Sequence, residues 1–300
     1  MVRKKLSMIN PKDYEHPFDI ETREMLENTA GLDMLIRQVN KIGIERILKI
    51  QYTGSNLRVN KTNFPTLYNA LEEACEILNI QKLPSFYIDW SYGINAFTAG
   101  IENPILVINS GCVDLLTEDE LLFIIGHELG HIKSNHVLYY QMASFMPIIT
   151  RILGDMTLGF GGTISLGIEL ALFNWQRMAE LTADRTALLT CQDIKTAMTA
   201  LIKMAGLPIK YFNSELIDDF IEQAKEFQDY DYDALDLVAK VVSTMRNSHP
   251  WTVMRGAELL KWYDSGNYQN ILDNSNSDWR KKNLPWQKQH PWKPPESLNF

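Results

Sequence analysis

The segment 123–136, FIIGHELGHIKSNH, constrains this chain more than any other. It holds three of the six histidines of the chain. Thr117 stands ahead of it with Glu120 three residues on, a capping-box pattern that opens a helix. The apolar run LLFII (121–125) gives that helix something to bury. Residues four apart share a helical face, so His127 and His131 can turn both imidazoles toward one ion. Glu128 sits about 100° around the helix from His127 and about 60° from His131, close enough to lean over that ion without binding it. Any fold this chain adopts must therefore bury a helix that carries ionisable groups, and must bring the missing ligand from elsewhere. His136, five residues past His131, falls off the shared face and reads as an ordinary surface or next-turn histidine. Glycine inside a helix costs about 1 kcal/mol, so Gly126 and Gly130 imply that something packs closely against them.

A catalytic metal of this kind keeps three protein ligands and one open position. The third ligand is expected in NWQRMAELTADRTALL (174–189), where Glu180 and Asp184 are four apart on one face. Glu180 would bind the metal. Asp184 would accept a hydrogen bond from the far nitrogen of His127 and so fix its orientation. Ala179, Leu181, Ala183, Leu188 and Leu189 mark this helix as largely buried, which disfavours a solvated charge pair. Glu169 is the rival ligand, but it has no carboxylate partner four residues on.

Strand-like runs at 46–53, 85–90, 95–100 and 104–110 are followed, after residue 116, by helical sequence almost throughout. The fold class expected is α+β: mainly helical, with a small, largely antiparallel sheet. Residues 18–42 read as one or two helices broken near Gly31, and 66–80 as a helix burying Leu67, Leu71, Cys75 and Leu78. The expected organisation is an N-terminal helical extension (1–63), a catalytic domain (64–268) and a Pro/Trp-rich tail (269–300). The most apolar stretch, 144–175, is interrupted by Arg151, Asp155 and Glu169. Its longest uncharged run, Met156 to Ile168, would reach about 20 Å as a helix against a bilayer core of about 30 Å. It reads as helix, glycine-rich turn and helix, packed beside the catalytic helices or walling a cleft.

Composition excludes several classes. A net charge of −8 argues against nucleic acid as a partner. Three scattered cysteines, with no C-x-x-C pair, fit a reducing compartment without a disulfide framework. The basic N-terminus is not followed by an apolar run, so no secretion signal is read.

In combination, GHELGH (126–131), AELTADRTAL (179–188), SHPWTVMR (248–255) and NAFTAG (95–100) resemble the gluzincin zinc endopeptidases that include the CAAX prenyl protease and the HtpX-type heat-shock protease. The resemblance covers about residues 64–265. It implies one Zn2+ per chain held by His127, His131 and Glu180, with Glu128 as general base and acid. It implies His249 as the donor that stabilises the oxyanion, and Arg255 as a brace for the carboxylates. Asn95 and Ala96 match the strand that would pair with an extended peptide. Several members of that family span membranes; this chain has no run of 18 or more apolar residues. The resulting expectation is a cytoplasmic metalloendopeptidase that acts on peptides or unfolded proteins, with peripheral membrane contact left open and no span. The alternatives are a catalytically silent, chaperone-like or adaptor protein on the same fold, or a hydrolase of non-peptide amides.

Overall fold

Four short runs of branched and aromatic residues pair into one sheet: β1 (Leu57–Arg58), β2 (Ser85–Asp89), β3 (Ala96–Ala99) and β4 (Ile105–Asn109), in the order β1-β2-β4-β3. The computed structural model describes residues 3–29, 31–32, 35–36, 43–156, 161–213, 215–229 and 251–274. Two pairings are antiparallel, β1 with β2 and β3 with β4, while β2 and β4 run parallel, so the sheet is mixed. Every residue of β4 is buried, as expected of a strand covered on both faces. Leu106 and Ile108 join the main helical core; Ile105 and Val107 face the other way with Tyr87 and Ala99. The strand β3 lies at one end of the sheet and keeps one edge free of any strand among the described residues.

The run at 46–53, expected as a strand, lies inside a helix, α2 (Ile44–Ser55). Its branched residues misled the reading, because β propensity yields to packing context. Leu48 and Tyr52, four apart, lie against Phe97, Tyr87 and Val107 and so close the second face of the sheet. Ile47 and Ile50 point to solvent. The expected helix at 66–80 is α3 (Pro65–Ile77), and Leu67, Leu71, Cys75 and Leu78 are all buried.

After α4 (Ser110–Leu115) comes α5 (Glu118–Lys133), the helix of the HELGH segment, opened by the expected Thr117/Glu120 capping box. Lys203 from α8 (Ile194–Met204) adds a buried ion pair to Glu120 at 2.7 Å. The apolar stretch 144–175 falls on two helices, α6 (Val137–Met156) and α7 (Gly161–Cys191), with 157–160 outside the described residues. The second helix is 31 residues long and runs without a break into the segment holding Glu180 and Asp184. Among the described residues, no helix is long and apolar enough to cross a membrane. The elements α9 (Glu215–Asp229), α10 (Thr252–Asp264) and α11 (Asn267–Asp273) complete the helical layer.

Residues 3–16 have only a single 3-10 turn but are not loose. Leu6, Ile9 and Tyr14 are buried in the main core. Arg185 donates to the Tyr14 and Glu15 carbonyls, and the His16 amide donates to Thr182 Oγ1 at 3.0 Å. The following helix α1 (Pro17–Glu27) packs on α7. Gly31, the expected break, has a φ of 89°.

The central contact is α5 against α7. A Cβ built on Gly130 would stand 1.9 Å from Thr186 Oγ1, and one on Gly126 would stand 2.4 Å from Thr190 Oγ1. The pairs run in opposite directions, 126 with 190 and 130 with 186, so the helices are antiparallel and in register. Gly130→Ala is expected to destabilise the protein by about 1–3 kcal/mol through overpacking. In a Thr186→Ala background, where the obstructing hydroxyl is gone, the same change should cost clearly less. Thermal unfolding of the four proteins of this cycle checks the expectation; an equal cost in both backgrounds would refute the close-approach account.

Candidate metal centre and cleft

The antiparallel register of α5 and α7 sets His127 beside Asp184 and His131 beside Glu180. His127 Nε2 and His131 Nε2 are 3.2 Å apart. Glu180 Oε2 is 3.3 Å from His127 Nε2, and Glu180 Oε1 is 3.3 Å from His131 Nε2. All three side chains are buried, and their donor atoms converge as a group able to hold one metal ion. Two imidazole nitrogens and a carboxylate suit zinc. Ligands about 2.0–2.1 Å from one ion at tetrahedral angles stand roughly 3.3–3.4 Å from each other, which is close to the spacings observed. The residues present therefore fit such an ion.

The electrostatics point the same way. Burial alone would lower the pKa of His127, but the charge of Glu180 and the hydrogen bond to Asp184 outweigh it and lift the imidazole to about 9. Burial dominates at His131 and pushes it down to about 4. The pocket thus draws one positive charge to itself, as expected where Glu128, Glu180 and Asp184 are buried together and Arg255 is the cation among them.

Asp184 Oδ1 accepts from His127 Nδ1 at 3.0 Å. Arg255, on α10, grips the same carboxylate with both arms, Nε to Oδ2 at 2.8 Å and Nη2 to Oδ1 at 2.6 Å. Its Nη1 also approaches Glu180 Oε2 at 3.5 Å. Burial would raise the Asp184 pKa, but Arg255 and His127 outweigh it and hold it below the usual carboxylate range. The two carboxylates and His127 are thus held by one guanidinium. Glu169 lies eleven residues before Glu180 on α7 and is not in the cluster. His249, like His290, lies outside the described residues.

The centre opens on a cleft of about 300 Å³. Glu128, His131 and Glu180 line it, and so do Asn95 to Ala99. Leu48 and Tyr52 of α2, together with Phe145 of α6, add apolar surface. The apolar helix α6 is thus part of the cleft wall, as Ser144 and Phe145 face it.

Two participants were missed in the sequence. Tyr140 lies with its ring 4.7 Å from that of His131 and its hydroxyl hydrogen-bonded to Glu180 Oε1. Burial and the Glu180 charge raise its pKa well above the ordinary range, so it stays a donor. Nothing in the linear pattern marks it, because it comes from α6. His136 is the second, and it corrects the surface reading: it is 1% exposed and its Nδ1 is 3.0 Å from His131 Nδ1. The reason is local. Asn135 takes a left-handed φ of 59°, and the His136 amide donates back to the His131 carbonyl at 2.9 Å. This is the Schellman close of α5, which folds the chain back under its own last turn. An asparagine two residues past the last helical position was the available signal.

The profile of peptidase family M48 matches residues 61–263. Similar proteins include the plastoglobule-localized metallopeptidase 48, chloroplastic, of Arabidopsis thaliana, 32% identical over 271 residues that make up 89% of this chain and 77% of that protein. A protease HtpX homolog 2 of Methanosarcina acetivorans is 28% identical over 52% of this chain and 60% of its own length. A protease HtpX homolog of Nostoc punctiforme is 32% identical over 35% of this chain and 37% of its own length. No solved structure matches. The match to the family profile covers well over half of the 300 residues and takes in His127, Glu128, His131, Glu180, Asp184 and Arg255: the chain belongs to peptidase family M48.

Proposed function

We propose that this chain is a zinc-dependent endopeptidase acting on extended peptide or unfolded-protein segments. The observation that carries the proposal is the convergence of His127 Nε2, His131 Nε2 and Glu180 at 3.2–3.3 Å beside a cleft that an edge strand also lines. His127, His131 and Glu180 would hold the zinc. When bound, the ion supplies Lewis-acid polarisation of the scissile carbonyl and lowers the pKa of water at the site. Glu128, one residue from a ligand and lining the cleft, takes the proton of the attacking water and returns it to the leaving amine. Asp184 holds the Nδ1 proton of His127 and so leaves Nε2 to face the ion. Arg255 fixes Asp184 and offsets the buried carboxylates. His249 donates to the developing oxyanion.

The edge of β3, including Asn95 and Ala96, offers backbone groups to an extended substrate. A bulky apolar side chain of that substrate would meet Leu48, Tyr52, Phe97 and Phe145. An extended strand binds through its backbone, which explains why a protein would have to be unfolded locally before it could be cut. The proposed location is cytoplasmic, with peripheral contact to a membrane left open; the Arabidopsis relative is named as plastoglobule-localized and chloroplastic.

Glu128→Gln is expected to abolish cleavage of unfolded casein while the purified protein keeps its zinc. Loss of the metal together with activity would mean that Glu128 is a ligand. Glu180→Ala should strip the zinc and Glu169→Ala should leave it, with Asp184→Ala weakening it about 10–100-fold; metal analysis after dialysis distinguishes them. His249→Ala should lower kcat by about 10²–10³ with zinc retained, whereas His290→Ala, in the second His-Pro-Trp, should leave the rate unchanged. Equal damage from the two substitutions would remove His249 from the mechanism.

A further inference from the structure

The residues that hold His131 in place come partly from a segment that the family profile does not reach. His131 Nε2 faces Glu180 and His127, and its Nδ1 lies 3.0 Å from His136 Nδ1. One of these two Nδ1 atoms must donate and the other accept. The far nitrogen of His136, Nε2, lies 3.2 Å from Asp19 Oδ2, an ion-pair approach that is out of line for a hydrogen bond, and is buried without a hydrogen-bond partner among the described residues. Asp19 is fully buried in the first turn of α1. Its Oδ1 accepts from Trp175 Nε1 at 2.9 Å and its Oδ2 accepts from Thr182 Oγ1 at 2.6 Å. Both groups that fix Asp19 are donors, so the carboxylate is left to attract His136 Nε2–H as well.

We infer that Asp19 and His136 form a positioning pair that sets the tautomer of His131 and that the N-terminal segment is thereby a working part of the metal centre. The order of donation follows from Asp19 outward. Asp19 faces His136 Nε2–H, which keeps its proton. A neutral imidazole then has a lone pair on Nδ1. That lone pair accepts from His131 Nδ1–H. His131 is left with its lone pair on Nε2, on the side where His127 and Glu180 converge. His127 is held in the same state by Asp184, so each histidine of the pair has its own carboxylate, reached directly in one case and through a second imidazole in the other. The direct carboxylate comes from α7, and the indirect one comes from α1, outside residues 61–263. The ring of His136 is kept in place by an edge contact with Trp175 at 5.4 Å, and Trp175 is the same residue that anchors Asp19.

This inference rests on the proposed zinc site, and its test separates the two. The full chain is stripped with a chelator, its fold is checked by thermal unfolding, and Zn2+ alone is titrated against a colorimetric zinc chelator. His136→Phe keeps a ring against Trp175 and removes both nitrogens; it should weaken zinc about 10–100-fold, the usual loss for such an outer partner. His136→Gln offers one acceptor and one donor and should restore most of the affinity. Asp19→Asn presents an amide donor to His136, reverses the order of donation and should weaken zinc too. In the His136→Phe background it should add nothing, because Asp19 acts only through His136. Wild-type affinity in folded His136→Phe would overturn the inference, and so would a full additive loss from Asp19→Asn in that background. Should Asp19→Asn fail to fold, the contrast between His136→Phe and His136→Gln decides alone, with equal affinity in the two counting against the pair. If instead His131→Ala and Glu180→Ala bind zinc as the wild type does, it is the metal site that fails.

Discussion

The close approach of α5 to α7 is the contact on which the rest of the structure depends. Two glycines, each unfavourable in a helix by about 1 kcal/mol, let the backbone of α5 come within reach of Thr186 and Thr190. Those threonines turn their hydroxyls into their own helix, onto the carbonyls of Ala183 and Thr186 at 2.7 Å each, so neither hydroxyl is left without a partner. Once the two backbones meet in antiparallel register, the residue after each glycine on α5 meets a carboxylate six positions before the matching threonine on α7: His127 with Asp184 and His131 with Glu180. A larger residue at either glycine would move the helices apart and lengthen every distance in the centre together.

That approach creates an electrostatic problem, which the remaining elements address. Burying Glu128, Glu180 and Asp184 in one place is unfavourable without compensating charge. The compensation comes from elements distant in sequence. Arg255 arrives from α10 and forms two hydrogen bonds with Asp184. Tyr140 arrives from α6 and donates to Glu180. Asp19 and His136 extend the same network to the N-terminal helix. The rise of His127 to about 9 shows that the network still attracts a positive charge after Arg255 is counted. The same donors, on His127, His131 and Glu180, converge as a group able to hold a metal ion.

The sheet supplies the complementary surface. Its central strand β4 is covered on both faces, which fixes the sheet between α2 and the helical core. Its edge strand β3 has no strand on its outer side among the described residues and lines the same cleft as Glu128. Unpaired backbone groups at such an edge accept another strand readily. The same cover helix that buries the sheet, α2, brings Leu48 and Tyr52 to the cleft, so fold stability and the apolar character of the site share residues.

Local pattern alone determined the ends and faces of α5, the helical nature of α3, the three strands after residue 84, and the pairing of His127 with His131 and of Glu180 with Asp184. In each case the information lies within one or two turns of a helix or one run of a strand, where spacing and capping residues act directly on the backbone. The glycines likewise announced a close neighbour without naming it. Tertiary structure decided what depended on contacts between distant segments. The run 46–53 has strand-like residues, yet it became a helix because Leu48 and Tyr52 had a sheet face to cover. His136 looked peripheral by helical spacing, yet the left-handed Asn135 ended the helix and turned it inward. Asp19 and Tyr140 carry no local mark at all. Each acquires its place only when α1 and α6 pack against α7, because a hydrogen bond between residues more than 30 positions apart in the chain is set by the packing of helices and not by the spacing along any one of them.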